Sequence, residues 1–346
     1  MKRKSIIAVL LLGIAGLLTS CGSDDETILV KSITLSQVTA TIEVGESAKL
    51  TVKVIPSDAE IPAVTWTSSN EAVAKVTSKG VVSGVAEGTA SINATAKDGS
   101  GVTASCLVTV TAATRGTTGG HDWVQIGGVK WATMNVGATT VAGSDKTSYG
   151  DFFTWGETTP RYSSMVLTEK YNTTDATFTW KSSWANISYT SPSDFTGTKL
   201  DAVHDAATAN WGSRWRTPTK EEFMALVEAC TGSSANDQAV KTVIYEKVTE
   251  PGIYWLQKVQ TGEPAYTGVG GILFVSKANT ARRVFFPLSG EIGAWYDNGD
   301  RCGYYLSSSR NTSNTNEVYV LFLFGEVSPA RTEYYTGGFS VRPVLD

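Results

Sequence analysis

VTWTSSNEAVAKVTSKGVVSGVAEGTASI, residues 64–92, alternates short apolar runs with turn residues, and that rhythm decides the fold of the N-terminal part of the chain. Extended in both directions it predicts strands at 33–35, 48–55, 63–68, 73–76, 81–85, 89–96 and 103–111. Gly45-Glu46, Pro56-Ser57-Asp58, Ser69-Asn70, Lys79-Gly80, Glu87-Gly88 and Asp98-Gly99 supply the turns between them. Short strands at such regular spacing predict a two-sheet β-sandwich over residues 31–112, with Trp66 filling the space between the sheets.

Upstream of the sandwich, Lys2, Arg3 and Lys4 precede an apolar run from Ile6 to Leu18 and then Leu18-Thr19-Ser20-Cys21. That run is too short to span a bilayer, for which roughly 20 residues are needed, so it reads as an export signal over residues 1–20. Residues 21–30 carry the acidic stretch Ser23-Asp24-Asp25-Glu26. Downstream, ATRGTTGG at 113–120 has no apolar period and reads as a flexible linker. From 121 to 346 the composition changes, because nine of the ten tryptophans, all but Trp66, fall there. A second domain is therefore expected over 121–346, and any specific recognition belongs to it.

Within that domain Thr219-Lys220-Glu221-Glu222 predicts a capping box: Thr219 caps a helix whose third residue is Glu222, and Phe223, Leu226 and Val227 form its buried stripe out to about Cys230. Residues 201–210 read as a second helix, and 283–288, 317–324 and 338–344 as strands. Of the cysteines beyond Cys21, Cys106, Cys230 and Cys302 are an odd set without a CxxC; Cys230 and Cys302 are open to pairing or to remaining buried thiols.

Several blocks resemble known families. The segment ending in Cys21 resembles a bacterial lipobox, which implies diacylglycerol on the Cys21 thiol and an anchor of several acyl chains in the outer-membrane lipid. The acidic tract after it is similar to the export signal of Bacteroidetes-type surface lipoproteins. Residues 64–92 resemble bacterial Ig-like group 2 domains, which implies a stalk or spacer. KWATMNVGA, YGDFFTWGE, NWGSRWRTPTKEEF, Ser307-Ser308-Ser309 and the terminal SVRPV resemble, in that order, the Fib_succ_major paralogous domain. Leu306 and Thr217 depart from that pattern, which has tryptophan and methionine there. The resemblance implies an α+β, C-type-lectin-like domain, so the whole chain is expected to be mainly β and multidomain. The Glu-Pro element of calcium-dependent lectins is matched by Glu263-Pro264 but not by the following Ala265.

The chemistry expected is binding. His121 and His204 are the only histidines, and there is no HExxH, GxSxG or phosphate loop, so no enzyme is expected and no catalytic residue is assigned. A net charge of -4, more negative once Lys2, Arg3 and Lys4 leave with the signal, disfavours nucleic acid. Aromatic faces beside Asp, Asn and Arg suit sugar or protein surfaces. Two such clusters are Trp295-Tyr296-Asp297-Asn298-Gly299-Asp300-Arg301, and Trp180 with Trp184. Asp297 and Asp300 are weak candidates for Ca²⁺, and no cofactor is otherwise expected. Arg216 and Arg342 are expected to tie loops rather than to meet ligand. The sequence thus predicts a surface-exposed, lipid-anchored protein whose stalk presents a domain to extracellular glycan or protein; a structural part of a surface fibre or outer-membrane assembly is the alternative, and a carbohydrate-active enzyme a second.

Overall fold

The computed structural model describes residues 28–57, 63–140, 146–160, 195–233, 240–241, 243–244, 250–256, 269–291 and 302–346. The chain divides into two compact units, Met1–Ala112 and Ala113–Asp346.

In the first unit the strands are β1 (Ser32–Leu35), β2 (Thr39–Glu43), β3 (Ser47–Lys49), β4 (Val52–Ile55), β5 (Val64–Ser68), β6 (Ala74–Val76), β7 (Val81–Gly84), β8 (Gly88–Ala96) and β9 (Thr103–Thr111). They form the sheets β2-β9-β8-β5, β3-β7-β6 and β1-β4. Alternation decides which face is inside. Ala90, Ile92, Ala94 and Ala96 of β8 are buried, and β9 places Val108 opposite Ala90 and Cys106 opposite Ile92 on the same face. Residues 48–55 are two strands rather than one, since Leu50 turns inward and its N–H bonds to the Gly80 carbonyl at 2.8 Å. Trp66 packs against this core but is only half-buried, one edge lying over Gly80. β2 was not expected from the sequence; it pairs parallel with β9.

The second unit begins earlier than residue 121. Residues 115–118, expected to be linker, form β10 (Arg115–Thr118), a hairpin partner of β11 (His121–Ile126). Gly119 and Gly120, both at positive φ, make the tight turn between them, so these glycines serve a hairpin rather than flexibility. The remaining elements are β12 (Val129–Ala132), β13 (Phe152–Phe153), α1 (Ala206–Trp211), β14 (Trp215–Arg216), α2 (Lys220–Thr231), β15 (Val240–Lys241), β16 (Val243–Ile244), β17 (Gly252–Leu256), β18 (Gly271–Val275), β19 (Arg283–Pro287), β20 (Gly303–Arg310), β21 (Glu317–Leu323), β22 (Glu326–Tyr334), β23 (Phe339–Ser340) and β24 (Val344–Leu345). Their sheets run β10-β11-β12-β24-β14, β13-β23-β20-β21-β22-β15 and β16-β17-β18-β19. The protein is thus mainly β and built of more than one unit, with two α-helices and one short 3-10 helix (Lys146–Tyr149) among the described residues of the second.

The capping box at α2 is formed as expected: Thr219 Oγ1 accepts from Glu222 N at 3.2 Å and Glu222 Oε2 from Thr219 N at 2.8 Å, while Gly232 ends the helix in the left-handed conformation. α1 starts later than expected, at Ala206, because Asp205 caps it; His204 lies in the preceding turn, its Nδ1 2.6 Å from Asp201 Oδ1. β20 and β21 are covered on both faces. Tyr305, Leu321 and Leu323 face Phe223, Leu226 and Val227 of α2 together with Trp131 and Phe286, whereas Leu306, Val320 and Phe322 face Phe153, Trp155 and Phe339.

Candidate functional site

The residues singled out for binding, Trp295, Tyr296, Asp297, Asn298, Asp300 and Arg301, and Trp180 with Trp184, lie outside the described residues, as do Cys21 and Glu263-Pro264. What can be described is the surface around residues 291 and 302. Gly290 N donates to Cys302 O at 2.7 Å, which brings the segment after β19 beside the start of β20. Around that point β20, β21 and β22 assemble side chains far apart in sequence.

Register does the assembling. Val318 lies opposite Glu333, Val320 opposite Arg331 and Leu306, and Phe322 opposite Tyr304, so Tyr304, Phe322, Arg331 and Glu333 share one sheet face. The Arg331 guanidinium lies 4.0 Å over the Phe322 ring and 5.7 Å from that of Tyr304, and its Nε is 2.7 Å from Glu333 Oε1. Phe322 continues to Phe324 at 6.3 Å, and Phe324 to Trp255 of β17 at 6.2 Å. Phe324 is 54% exposed. Gly325, at φ +58°, lets the β21–β22 turn come down on the Trp255 ring, where a Cβ would sit 2.8 Å from it. The result is a strip that grades from an exposed aromatic ring, through a stacked guanidinium, to the half-buried carboxylate of Glu333, in whose electrostatic reach Glu291 lies.

Electrostatics single out that pair. Burial pushes Glu291 up to about 7; the charge of Glu333 adds to the rise and Arg331 opposes it. Glu333 is raised too, chiefly by burial, with Arg331 pulling the other way. Burial also raises the Tyr304 hydroxyl, and Glu291 adds to that. Near neutral pH the strip therefore offers a carboxyl able to donate or accept, a guanidinium donor and the exposed aromatic face of Phe324.

Sequence reading missed Glu291, Arg331, Glu333 and Phe324. The Arg-x-Glu spacing in β22 was a signal for a shared strand face, but only register shows which aromatic residues join it. The other expected residues are structural. Arg216 pairs with both oxygens of Glu222 and with Asp346, and Arg342, fully buried, donates to the carbonyls of Ala132 at 3.0 Å and Phe285 at 2.9 Å. Leu306 is a core residue, and the Thr217 hydroxyl donates to Asp205 at 3.0 Å. Cys106, Cys230 and Cys302 are all buried, Cys106 and Cys230 as free thiols. Among the described residues no His, Cys, Asp and Glu group is arranged to hold a metal ion.

Residues 29–118 match the bacterial Ig-like domain, group 2. The match runs past Ala112 into β10, which hydrogen-bonds within the second unit. Curated relatives are similar through this Ig-like part. An Ig-like virion protein of Serratia phage KSP90 is 41% identical over 97 residues, 28% of this chain and 37% of that protein. An alpha-L-arabinofuranosidase of Bifidobacterium longum is 54% identical over 65 residues, 19% of this chain and 6% of the enzyme. A lacto-N-biosidase of Bifidobacterium bifidum is 36% identical over 106 residues, 29% and 9%. The chain thus spans well under half the length of each. Among solved structures the S-layer protein SbsC aligns at 18% identity and a TM-score of 0.22, over 28% of this chain and 16% of that one, a superposition too partial to speak for the fold.

Proposed function

We propose that this is a surface protein in which the Ig-like unit is a spacer and the second unit binds extracellular glycan or protein through the strip from Phe324 to Glu291. The observation that carries the reading is the exposed Phe324 ring, continuous through Phe322 with the Arg331 guanidinium and the Glu333 carboxylate. An aromatic face takes the C–H side of a sugar or an apolar side chain while Arg and Glu take hydroxyls or amides. The spacer role is supported by the company the Ig-like domain keeps, since glycosidases and a virion protein have little else in common. The lipid anchor at Cys21, surface export by the acidic tract and a C-type-lectin-like character for the second unit belong to this proposal and rest on sequence resemblance.

The experiment is glycan-array and matrix-protein screening of the full chain beside Phe324→Ala and Arg331→Ala. A ligand whose binding falls about tenfold in either variant supports the strip, on the scale of one aromatic or one charged contact. Ligands bound equally by all three chains would place recognition elsewhere. Cys21→Ser with membrane fractionation tests the anchor, which requires the variant to leave the membrane pellet.

One observation favours the enzymatic reading: a carboxyl near 7 within electrostatic reach of a second carboxylate is what a glycoside hydrolase needs of its acid. Hydrolysis of a bound glycan, abolished by Glu291→Gln with binding retained, would convert the binding proposal into a catalytic one.

A further inference from the structure

A second polar feature lies in the same unit, built by other parts of the chain. Three sequence blocks meet there. Ser308 N donates to Pro218 O at 2.7 Å and Leu200 N to Ser308 O at 2.9 Å, so the serine run at the irregular end of β20 is held between the segment before α1 and the entry to α2. Arg216 brings in the end of the chain through Asp346, its Nε 2.6 Å from the Asp346 carboxylate. Between these segments opens a cleft of about 160 Å³, whose lining includes Lys199, Asp201, Asp205, Arg216, Ser308 and Asp346.

Its hydrogen-bonding capacity is unevenly spent. Asp205 is 3% exposed; its Oδ1 accepts from Ala207 N, Thr208 N, Thr217 N and Thr217 Oγ1, whereas among the described residues Oδ2 accepts from Thr217 N alone, at 2.9 Å. A carboxylate oxygen has room for more, so Oδ2 keeps an acceptor position. Ser308, 1% exposed, has a hydroxyl that makes no hydrogen bond among the described residues. A buried hydroxyl left this way costs about 1–3 kcal/mol, so one kept in a wall that the chain closes with so many bonds calls for a partner. Lys199 adds an exposed ammonium at the rim, with no ion pair among the described residues.

Charge and size choose the partner. Asp201, Asp205 and Asp346 stand against Lys199 and Arg216, a mixture that holds neither a bare anion nor a bare cation well. The volume is about that of five water molecules in the liquid, far below a drug-sized pocket. We propose that the cleft between the Asp205 turn, Ser308 and Asp346 binds a neutral polyol the size of one monosaccharide, with a hydroxyl donating to Asp205 and another exchanging hydrogen bonds with Ser308 and Lys199.

The test is saturation-transfer and titration NMR of the full chain with glucose, galactose, mannose, N-acetylglucosamine and xylitol, repeated on Ser308→Ala and Lys199→Ala. Neither variant should melt below the parent temperature, because neither side chain makes a hydrogen bond that folding needs, and Ser308→Ala, which removes an unpaired buried hydroxyl, should melt above it. At least one polyol should saturate with a Kd on the order of millimolar, weakened about fivefold by Ser308→Ala, the loss of one neutral hydrogen bond. Phe324→Ala should leave this binding untouched, which separates the cleft from the aromatic strip. The proposal is overturned if no polyol saturates, if binding is the same in both variants, or if ammonium or calcium ions titrate the cleft while polyols do not.

Discussion

The two units solve the problem of a β core differently. Every buried polar or charged residue of the described chain lies at position 135 or beyond, among them Asn135, Asp205, Thr217, Ser308, Ser340 and Arg342, whereas the interior of the Ig-like unit is Leu, Ile, Val, Ala and one cysteine. A core of small apolar residues needs only alternation and turns, so the first unit is specified by period and tolerates wide sequence change. Interior polar groups need particular partners in particular places. That demand ties distant segments of the second unit together by directional bonds, as Arg342 does with Ala132 and Phe285 and Asp205 with Thr217.

The sharpest way to break the contrast is Arg342→Ala. The guanidinium is fully buried, lies 4.6 Å over the Phe286 ring and satisfies two carbonyls; burial lowers it to about 10, so it is still charged at neutral pH. Truncation takes the guanidinium from the Ala132 and Phe285 carbonyls and opens a void beside the Phe286 ring, and the expected loss is about 3–5 kcal/mol. Since nine of the ten tryptophans lie in the second unit, tryptophan fluorescence during urea unfolding reads this loss directly. A loss below about 1 kcal/mol would mean that the polar interior is ornamental. Arg342→Met asks a finer question: if an apolar side chain of similar length restores stability, the arginine serves specificity rather than stability.

A counterpart in the first unit is Gly80→Ala. Gly80 sits at φ +75°, and an added Cβ would lie 2.5 Å from the Leu50 carbonyl oxygen and 2.9 Å from the Trp66 ring. Backbone strain and displacement of Trp66 together should cost about 2 kcal/mol. The variant should still fold, with Trp66 more exposed to quenchers; unchanged stability would show that this turn is free to shift.

The same contrast governs what the sequence discloses. Alternation in VTWTSSNEAVAKV and the spacing of Thr219 to Glu222 are local, and both elements form where local rules put them. β2 escaped notice because Thr39-Ala40-Thr41-Ile42-Glu43 has one bulky apolar residue and draws its stability from parallel pairing with β9. The glycines of ATRGTTGG signal either a linker or a hairpin turn, and only the partner strand decides. β22 is harder still: Glu326-Val327-Ser328-Pro329-Ala330-Arg331 contains a proline, tolerated at the irregularity opposite Val320 to Phe322. The candidate strip depends on that strand. Glu291 feels the charge of Glu333 from 42 positions away in the chain, so no spacing rule could have joined them.

The mildest prediction probes that meeting. Glu291 is raised from 4.5 to about 7 by burial and by Glu333. Between about pH 4.5 and pH 7 the folded chain therefore keeps a proton that the unfolded chain has released, and stability falls as pH rises through this window. Above it the whole penalty is present. Glutamine has nothing to ionise, so Glu291→Gln should be more stable than the parent by about 1 kcal/mol at pH 8, a figure reduced from the full linkage value because water reaches the side chain. The difference should shrink to nothing by pH 4.5, where both side chains are neutral amides or acids of nearly the same shape. Thermal melts at four pH values suffice to read it. A constant offset would signal a packing change rather than relief of charge, and a variant less stable at pH 8 would mean that Glu291 is held ionised by Arg331, leaving the strip without its proton.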